Sequence, residues 1–321
     1  MNTSTPLIVI PGDDPPQIDS SPHLETLKRH GRVNLYDTRP ASEDEQLSRV
    51  GGARVVLNSR GQVKWPRHVL EQLPNLKMVA ICGIGTDCID LDAARELDIT
   101  VCNLPGKTAT LVAEHAFALL LAVSRRTAYF TAAVRAGRWP RRLATSLLGK
   151  TLGVVGTGNI GCEMIRLSRA FGMDVIAWSF HPNDEKAARL GFRYVELEEL
   201  FAQSDALSLH LKLTDKSRGF IGEKELAQVR PGCLLVNTAR GAMIDNASVI
   251  AALEDGRLGG VALDVFDQEP IRQGHPLLQC EQVVFTPHSA DQTPEGVDLL
   301  NLGCVENVIA FLEGRPQNVV V

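Results

Sequence analysis

An arginine, a glutamate and a histidine spaced along the second half of the chain, Arg240, Glu269 and His288, bring together a fixed cation, a carboxylate and a group that titrates near neutrality. A planar guanidinium can hold a carboxylate and polarise a neighbouring carbonyl, while an imidazole can give that carbonyl a proton or take one back. Upstream lies Gly156-Thr157-Gly158-Asn159-Ile160-Gly161. It follows the apolar run Leu152-Gly153-Val154-Val155 and precedes Ile160, Met164, Ile165 and Leu167, which fall at helical spacing. In a strand, turn and helix of this kind the first glycine permits the tight turn, the second lets backbone approach a pyrophosphate, and the third lets helix and strand pack closely. The exposed amides and the positive helix end then hold the anion. Singly, each member of the trio has an ordinary reading: a strand-end ion pair, a turn, a packed ring. Together with the glycine turn they point to hydride transfer to or from a nicotinamide dinucleotide.

The next strand should end, about 18–20 residues beyond the last glycine of the turn, in an acid that binds the adenosine ribose when the cofactor is NAD. Here that place reads Ala177-Trp178-Ser179-Phe180-His181, with Ser179 in the acidic position. A 2′-phosphate is not repelled by serine, and Ser179, His181 and Lys186 are candidates to bind it. NAD and NADP both stay open as cofactors. Asp184 and Glu185 read as exposed helix-start residues.

These groups must be positioned by something large enough to carry them. A chain of 321 residues, 44% hydrophobic and 22% charged, suffices for two cored domains. Its net charge of −5 and pI near 5.9 argue against nucleic acid as the main partner. The densest basic segment, Arg135 to Arg142, is short. The 7 cysteines are scattered, without a CxxC pair or clustered histidines, so no metal is expected and the thiols read as reduced. The N-terminal segment has no basic and apolar leader pattern, and the longest apolar stretch, Ala116 to Val123, is too short to span a bilayer. The expected location is the cytoplasm.

Short β-rich runs alternate with helical periodicity in two series. The first comprises Leu7 to Ile10, Val33 to Tyr36, Arg54 to Leu57, Leu76 to Ile81 and Ile99 to Cys102, with helices near Pro22 to Arg29, Arg67 to Gln72 and Leu91 to Leu97. The second runs from Leu152 through Val175 to Trp178, Phe192 to Val195, Ala206 to Leu209, Cys233 to Val236, Gly260 to Leu263 and Val283 to Phe285. One long helical stretch, Thr110 to about Gly137, is expected between them, and a helix from Pro294 onward that packs back on the first series. The pattern is α/β with two doubly wound domains.

Several ordered segments carry a family likeness: Gly83-Ile84-Gly85-Thr86-Asp87, Asn103-Leu104-Pro105-Gly106, Val112-Ala113-Glu114-His115, Gly149 to Gly153, Val236-Asn237-Thr238-Ala239-Arg240-Gly241, Leu263-Asp264-Val265-Phe266 with Glu269-Pro270, and Thr286-Pro287-His288. From about residue 53 onward the chain resembles the D-2-hydroxyacid dehydrogenases. The resemblance implies a flavodoxin-like substrate domain, residues 1–103 with 290–321, and a Rossmann NAD(P)-binding domain, 104–289. It implies that Arg240 binds the carboxylate of a 2-oxoacid and that His288 is the acid in reduction and the base in oxidation. Glu269 would hydrogen-bond His288, fixing its tautomer and favouring its charged form. Beside the turn, the cofactor would be met by Ser179, His181, His210, Thr214, Thr238, Ala239, Arg240 and Thr108, with Asp264 on the nicotinamide carboxamide.

By the same resemblance the backbone of Ile84 and Gly85 binds the substrate carboxylate, and the loop Asn58 to Gln62 sorts substrates, with Arg60 available to a second anion. A cleft joined near residues 103 and 290 would close around cofactor and substrate. The segment 110–142 would form a homodimer interface with Trp139 as an anchor. Ser179, Ser217 and Ser289-Ala290-Asp291 depart from the family pattern. Two alternatives stay open: a phosphite-type dehydrogenase on the same fold, and a non-catalytic dinucleotide-sensing protein like the C-terminal-binding-protein corepressors.

Overall fold

A computed structural model describes residues 5–321; Met1 to Ser4, part of the segment read above for a leader, lie outside the described residues. The chain packs as two units, one running to Thr108 and resuming at Gln292–Val321, the other Ala109–Asp291. The switches thus fall at 108/109 and 291/292, where the sequence expectation was 103/104 and 289/290.

In the first unit the elements are β1 (Leu7–Ile10), α1 (Pro22–Lys28), β2 (Arg32–Leu35), α2 (Glu43–Val50), β3 (Val55–Ser59), α3 (Arg67–Leu70), β4 (Met78–Cys82), α4 (Leu91–Glu96) and β5 (Thr100–Cys102). The second unit holds α5 (Ala109–Ser124), α6 (Thr127–Arg135), β6 (Thr151–Val155), α7 (Asn159–Ala170), β7 (Asp174–Trp178), α8 (Asp184–Leu190), β8 (Arg193–Tyr194), α9 (Leu197–Gln203) and β9 (Ala206–Leu209). It continues with α10 (Glu223–Leu226), β10 (Cys233–Asn237), α11 (Asn246–Glu254), β11 (Leu258–Leu263) and β12 (Val283–Phe285), before α12 (Pro294–Leu312) returns to the first unit.

Every ladder between these strands is parallel. Strands such as β3, β4 and β10 are buried at every residue, as parallel strands covered on both faces must be. The first sheet has the order β2-β1-β3-β4-β5, a flavodoxin-like winding, and the second β12-β11-β10-β9-β6-β7-β8, a Rossmann winding. In the second sheet the order reverses between β6 and β9, so the turn that leaves β6 opens at the switch point where such folds bind ligands.

Side-chain caps set where the helices begin. Ser21, Ser42, Asp90, Asn183, Asp245 and Thr293 each accept a backbone amide from the first turn of the helix that follows. The single helix expected over Thr110 to Gly137 is two helices, α5 and α6, bent by 60°. Arg126 sits at φ 53° between them. A returning strand of chain docks there, with Thr145 N–H donating to Ser124 O at 2.8 Å and Arg126 Nε to Leu143 O at 3.2 Å. That docking ends α5, where apolar periodicity alone would have carried the helix on.

Buried α5 residues Ala113, Ala116, Leu119 and Leu120 join Leu152, Val154, Ile165 and Val236 in one core cluster of the second unit. No single described helix is long and apolar enough to cross a membrane; the bent α5 and α6 pair passes only jointly, by length and composition, and α5 is a core helix. In the first unit α12 packs on β4 and α1, and Val320 and Val321 exchange backbone hydrogen bonds with Val101 of β5.

Candidate active site

The glycine turn leaves β6 as the sequence predicts. Gly156 sits at φ 98°, and a side chain there would lie 2.8 Å from the His210 carbonyl. Gly161, in the first turn of α7, lies so close to Gly156 that an added Cβ would meet its carbonyl oxygen at 2.0 Å. Nothing lies within 4 Å of a Cβ built on Gly158, the N-cap of α7, so the helix end opens onto space of the kind a pyrophosphate needs. Thr157 is buried, its hydroxyl 2.7 Å from the Tyr194 hydroxyl, while its carbonyl accepts the Lys186 ammonium at 2.9 Å. Asn159 and Ile160 form the first turn of α7.

Beyond β7, Ser179 is half-buried and its hydroxyl accepts the amide of His181, which is exposed. Trp178, Phe180 and Phe220 form an aromatic cluster beside them. At the end of β9, His210 is hydrogen-bonded to Ser208 at 2.8 Å, and burial pushes its pKa down to about 4, so it is neutral at physiological pH. Ser217, a departure from the family pattern, closes the loop that follows: its hydroxyl takes the Thr214 amide at 2.8 Å and donates to Lys212 O at 2.7 Å.

The trio is assembled by three strand ends. At the end of β10 the Asn237 side chain bridges the turn that follows, accepting from Ala239 N–H and donating to Arg240 O, both at 2.9 Å. Arg240 is half-buried, its guanidinium hydrogen-bonded to Ala239 O at 2.8 Å. The next residue, Gly241, is packed so tightly that a Cβ would stand 2.0 Å from the Phe266 carbonyl carbon. Only glycine lets the segment after β11 lie against the Arg240 turn.

In that segment Glu269 Oε1 accepts from Phe266 N–H at 3.0 Å, and Oε2 is 2.7 Å from His288 Nδ1. Burial pushes the Glu269 carboxyl up, but the hydrogen bond and charge of His288, the Phe266 amide and the charge of Arg240 outweigh it and hold the group below the usual carboxylate range. An ionised carboxylate only accepts, so Nδ1 carries the proton and any exchange with substrate falls to Nε2. His288 itself is left-handed, φ 51°.

Asp264, just past β11, is 0% exposed. Its carboxylate accepts from the Thr286 hydroxyl at 2.6 Å and from the amides of Ser289 at 2.8 Å and Ala290 at 3.1 Å. These bonds address the loop around His288, a role the sequence did not disclose. Thr238, 8% exposed, and Thr108, 1% exposed, each bury a hydroxyl that has no hydrogen-bond partner among the described protein atoms. Such orphans mark places that a ligand atom can satisfy, and for Thr238 that fits a dinucleotide at the strand ends.

Thr108, Ile84, Gly85 and Arg60 belong to the first unit. There Asn103 Nδ2 donates to Ile84 O at 2.7 Å, which turns the Gly85 N–H of the same trans peptide the opposite way. Arg60 is left-handed, φ 53°, and donates to Gln292 at 2.8 Å. No group of metal-ligating side chains occurs among the described residues.

A family model for D-isomer specific 2-hydroxyacid dehydrogenase, NAD binding domain, matches residues 117–290. The chain is 40% identical over 308 residues to a glyoxylate reductase of Aeropyrum pernix, covering 92% of each. The chain belongs to the D-isomer-specific 2-hydroxyacid dehydrogenase family. Among solved structures, a glyoxylate reductase from Paecilomyes thermophila superposes with a TM-score of 0.89 at 31% identity, over 98% of both chains. An acyclic imino acid reductase in complex with NADPH and D-Arg gives 0.89 at 26% identity, over 98% of this chain and 100% of the other. This chain is thus an NAD(P)-dependent 2-hydroxyacid dehydrogenase, with two parallel sheets of five and seven strands.

Proposed function

We propose that the protein reduces a small 2-oxoacid, glyoxylate or hydroxypyruvate, with NADPH, and that Arg240, Glu269 and His288 carry the reaction. The observation that carries this reading is the 2.7 Å contact between His288 Nδ1 and Glu269 Oε2, made by a carboxyl held below its usual range. The dinucleotide would lie along the turn from Gly156 to Gly161, with Thr238, Ala239 and Thr214 toward its nicotinamide half and Ser179, His181 and Lys186 toward its ribose. When bound it supplies the hydride. Arg240 holds the 2-oxoacid carboxylate and draws electron density from the adjoining carbonyl. The His288 imidazolium gives its Nε2 proton to the carbonyl oxygen as the carbon is reduced, and Glu269 stabilises the charge that His288 bears beforehand. In this reading the amides of Ile84 and Gly85 contribute to the carboxylate site, and Arg60 is available to the hydroxyl that hydroxypyruvate carries and glyoxylate lacks.

NADPH is favoured because Ser179 offers no negative charge to repel a 2′-phosphate, and because the Lys186 ammonium is stationed on the turn at Thr157 O. The proposal includes a cytoplasmic homodimer built on residues 110–142. A steady-state panel of glyoxylate, hydroxypyruvate and phenylpyruvate with NADH and NADPH, run beside phosphite-driven reduction of the oxidised cofactors, tests the assignment. The two small acids with NADPH should give the highest kcat/KM; preference for phenylpyruvate or phosphite would overturn it. His288→Ala should lower kcat by about a hundredfold or more, on the usual scale for a lost general acid.

A further inference from the structure

We infer that His115 is a positioning residue for His288: from α5 it holds Thr286 and Asp264, and through them the loop that presents the acid. The inference rests on the reading of His288 as the proton donor. Loop residues on both sides of His288 converge on one buried carboxylate. Asp264 Oδ1 accepts from the Thr286 hydroxyl at 2.6 Å and from Ser289 N–H at 2.8 Å, and Oδ2 from Ala290 N–H at 3.1 Å. His288 lies between these anchors with a left-handed backbone, a conformation that a histidine keeps only when its surroundings impose it.

The Thr286 hydroxyl has one proton and gives it to Asp264. In its 3.0 Å contact with His115 Nε2 the ring nitrogen is therefore the donor. The same Nε2 stands 3.4 Å from Asp264 Oδ1. His115 thus caps the cluster from outside, while the helix that bears it is fixed by Ala113, Ala116, Leu119 and Leu120 in the core. Burial alone would push the Asp264 carboxyl up. The hydrogen bonds from His115, Thr286 and Ser289 and the charge of His115 outweigh burial and keep the group ionised, as an acceptor of these loop donors must be.

The geometry makes the effect specific to proton delivery. Without the His115 donor, Thr286 and Asp264 lose an anchor to a rigid helix, and the His288 ring wanders relative to Glu269 while Arg240 and the glycine turn, on other strand ends, stay in place. The experiment measures kcat and both KM values with glyoxylate and NADPH for His115→Ala, His115→Phe, His115→Gln, His288→Ala and the double variant His115→Ala/His288→Ala. Phenylalanine keeps the volume without the donor, so it carries the test if alanine fails to fold; glutamine restores a donor near the position of Nε2. Thermal midpoints and NADPH-binding stoichiometry report folding.

The expected result is about a tenfold loss of kcat in the alanine and phenylalanine variants with KM values within about threefold of wild type, and recovery by glutamine. The double variant should be no slower than His288→Ala, because two groups acting through one step are not additive. Three results would overturn the inference: unchanged kcat in well-folded alanine and phenylalanine variants, equal losses in all three His115 variants, or losses that multiply in the double variant. If His288→Ala itself turns over normally, the proposed function fails instead.

Discussion

Asp264 and Glu269 are both carboxylates held ionised against burial, yet they serve different ends: one binds the loop, the other the His288 ring. For Glu269 the lowered pKa fixes the direction of a pH effect. A depressed carboxyl contributes stability fully above its unfolded value, near 4.5, and loses it as pH falls through the folded value. The excess thermal stability of wild type over Glu269→Gln should therefore be present above about pH 5 and shrink below that as the carboxyl is protonated. An excess that persists undiminished to about pH 3, read by thermal unfolding, would contradict the pairing. Lys186 supports a second expectation. Reversing its charge in Lys186→Glu should raise KM for NADPH by about tenfold and leave KM for NADH little changed, since an ion pair with a phosphate contributes on the order of 1.5–3 kcal/mol. Equal changes for both cofactors would remove Lys186 from 2′-phosphate recognition.

The strand-end geometry depends on α5, whose one wall carries His115 and whose other walls pack the second sheet. Leu120, 0% exposed in that core, should cost about 2–5 kcal/mol on replacement by alanine, as buried leucines do. Urea unfolding measures this, and a loss below about 1 kcal/mol would mean that α5 is not a core helix. The strands were legible because parallel strands are apolar throughout and alternate with turns; Leu7 to Ile10, Ala206 to Leu209 and Val283 to Phe285 fall on observed strands residue for residue. Helix α2 escaped because Glu43 to Gln46 is polar throughout, its start declared only by the Ser42 cap. The break at Arg126 escaped because its cause is a docking segment some twenty residues on. The types of the trio could be read from the sequence, but not the distances among them. Those depend on close approaches such as Gly241 against Phe266 and on the Asp264 cluster, which no local pattern announces.

Exposed apolar side chains gather after α5: Val134 is 51% exposed, Trp139 79%, Leu143 94% and Leu148 70%. Exposed apolar side chains are costly in water; Val134 and Trp139 lie within the segment 110–142 of the proposed homodimer, and Leu143 directly follows it. Trp139→Asp combined with Leu143→Asp should shift the protein to monomer in sedimentation equilibrium at micromolar concentration. A wild-type monomer, or an unaltered dimer in the variant, would refute that interface.

The division of the chain has a consequence for biosynthesis. The second unit is one uninterrupted segment, Ala109–Asp291, whereas the first needs residues from both ends: α12 covers β4, and Val319 to Val321 pair with β5. On the ribosome the dinucleotide-binding fold can close while the earlier-made sheet still waits for its last helix and edge. The half made first is the half finished last, and through that interval the face of β4 that α12 covers stays bare.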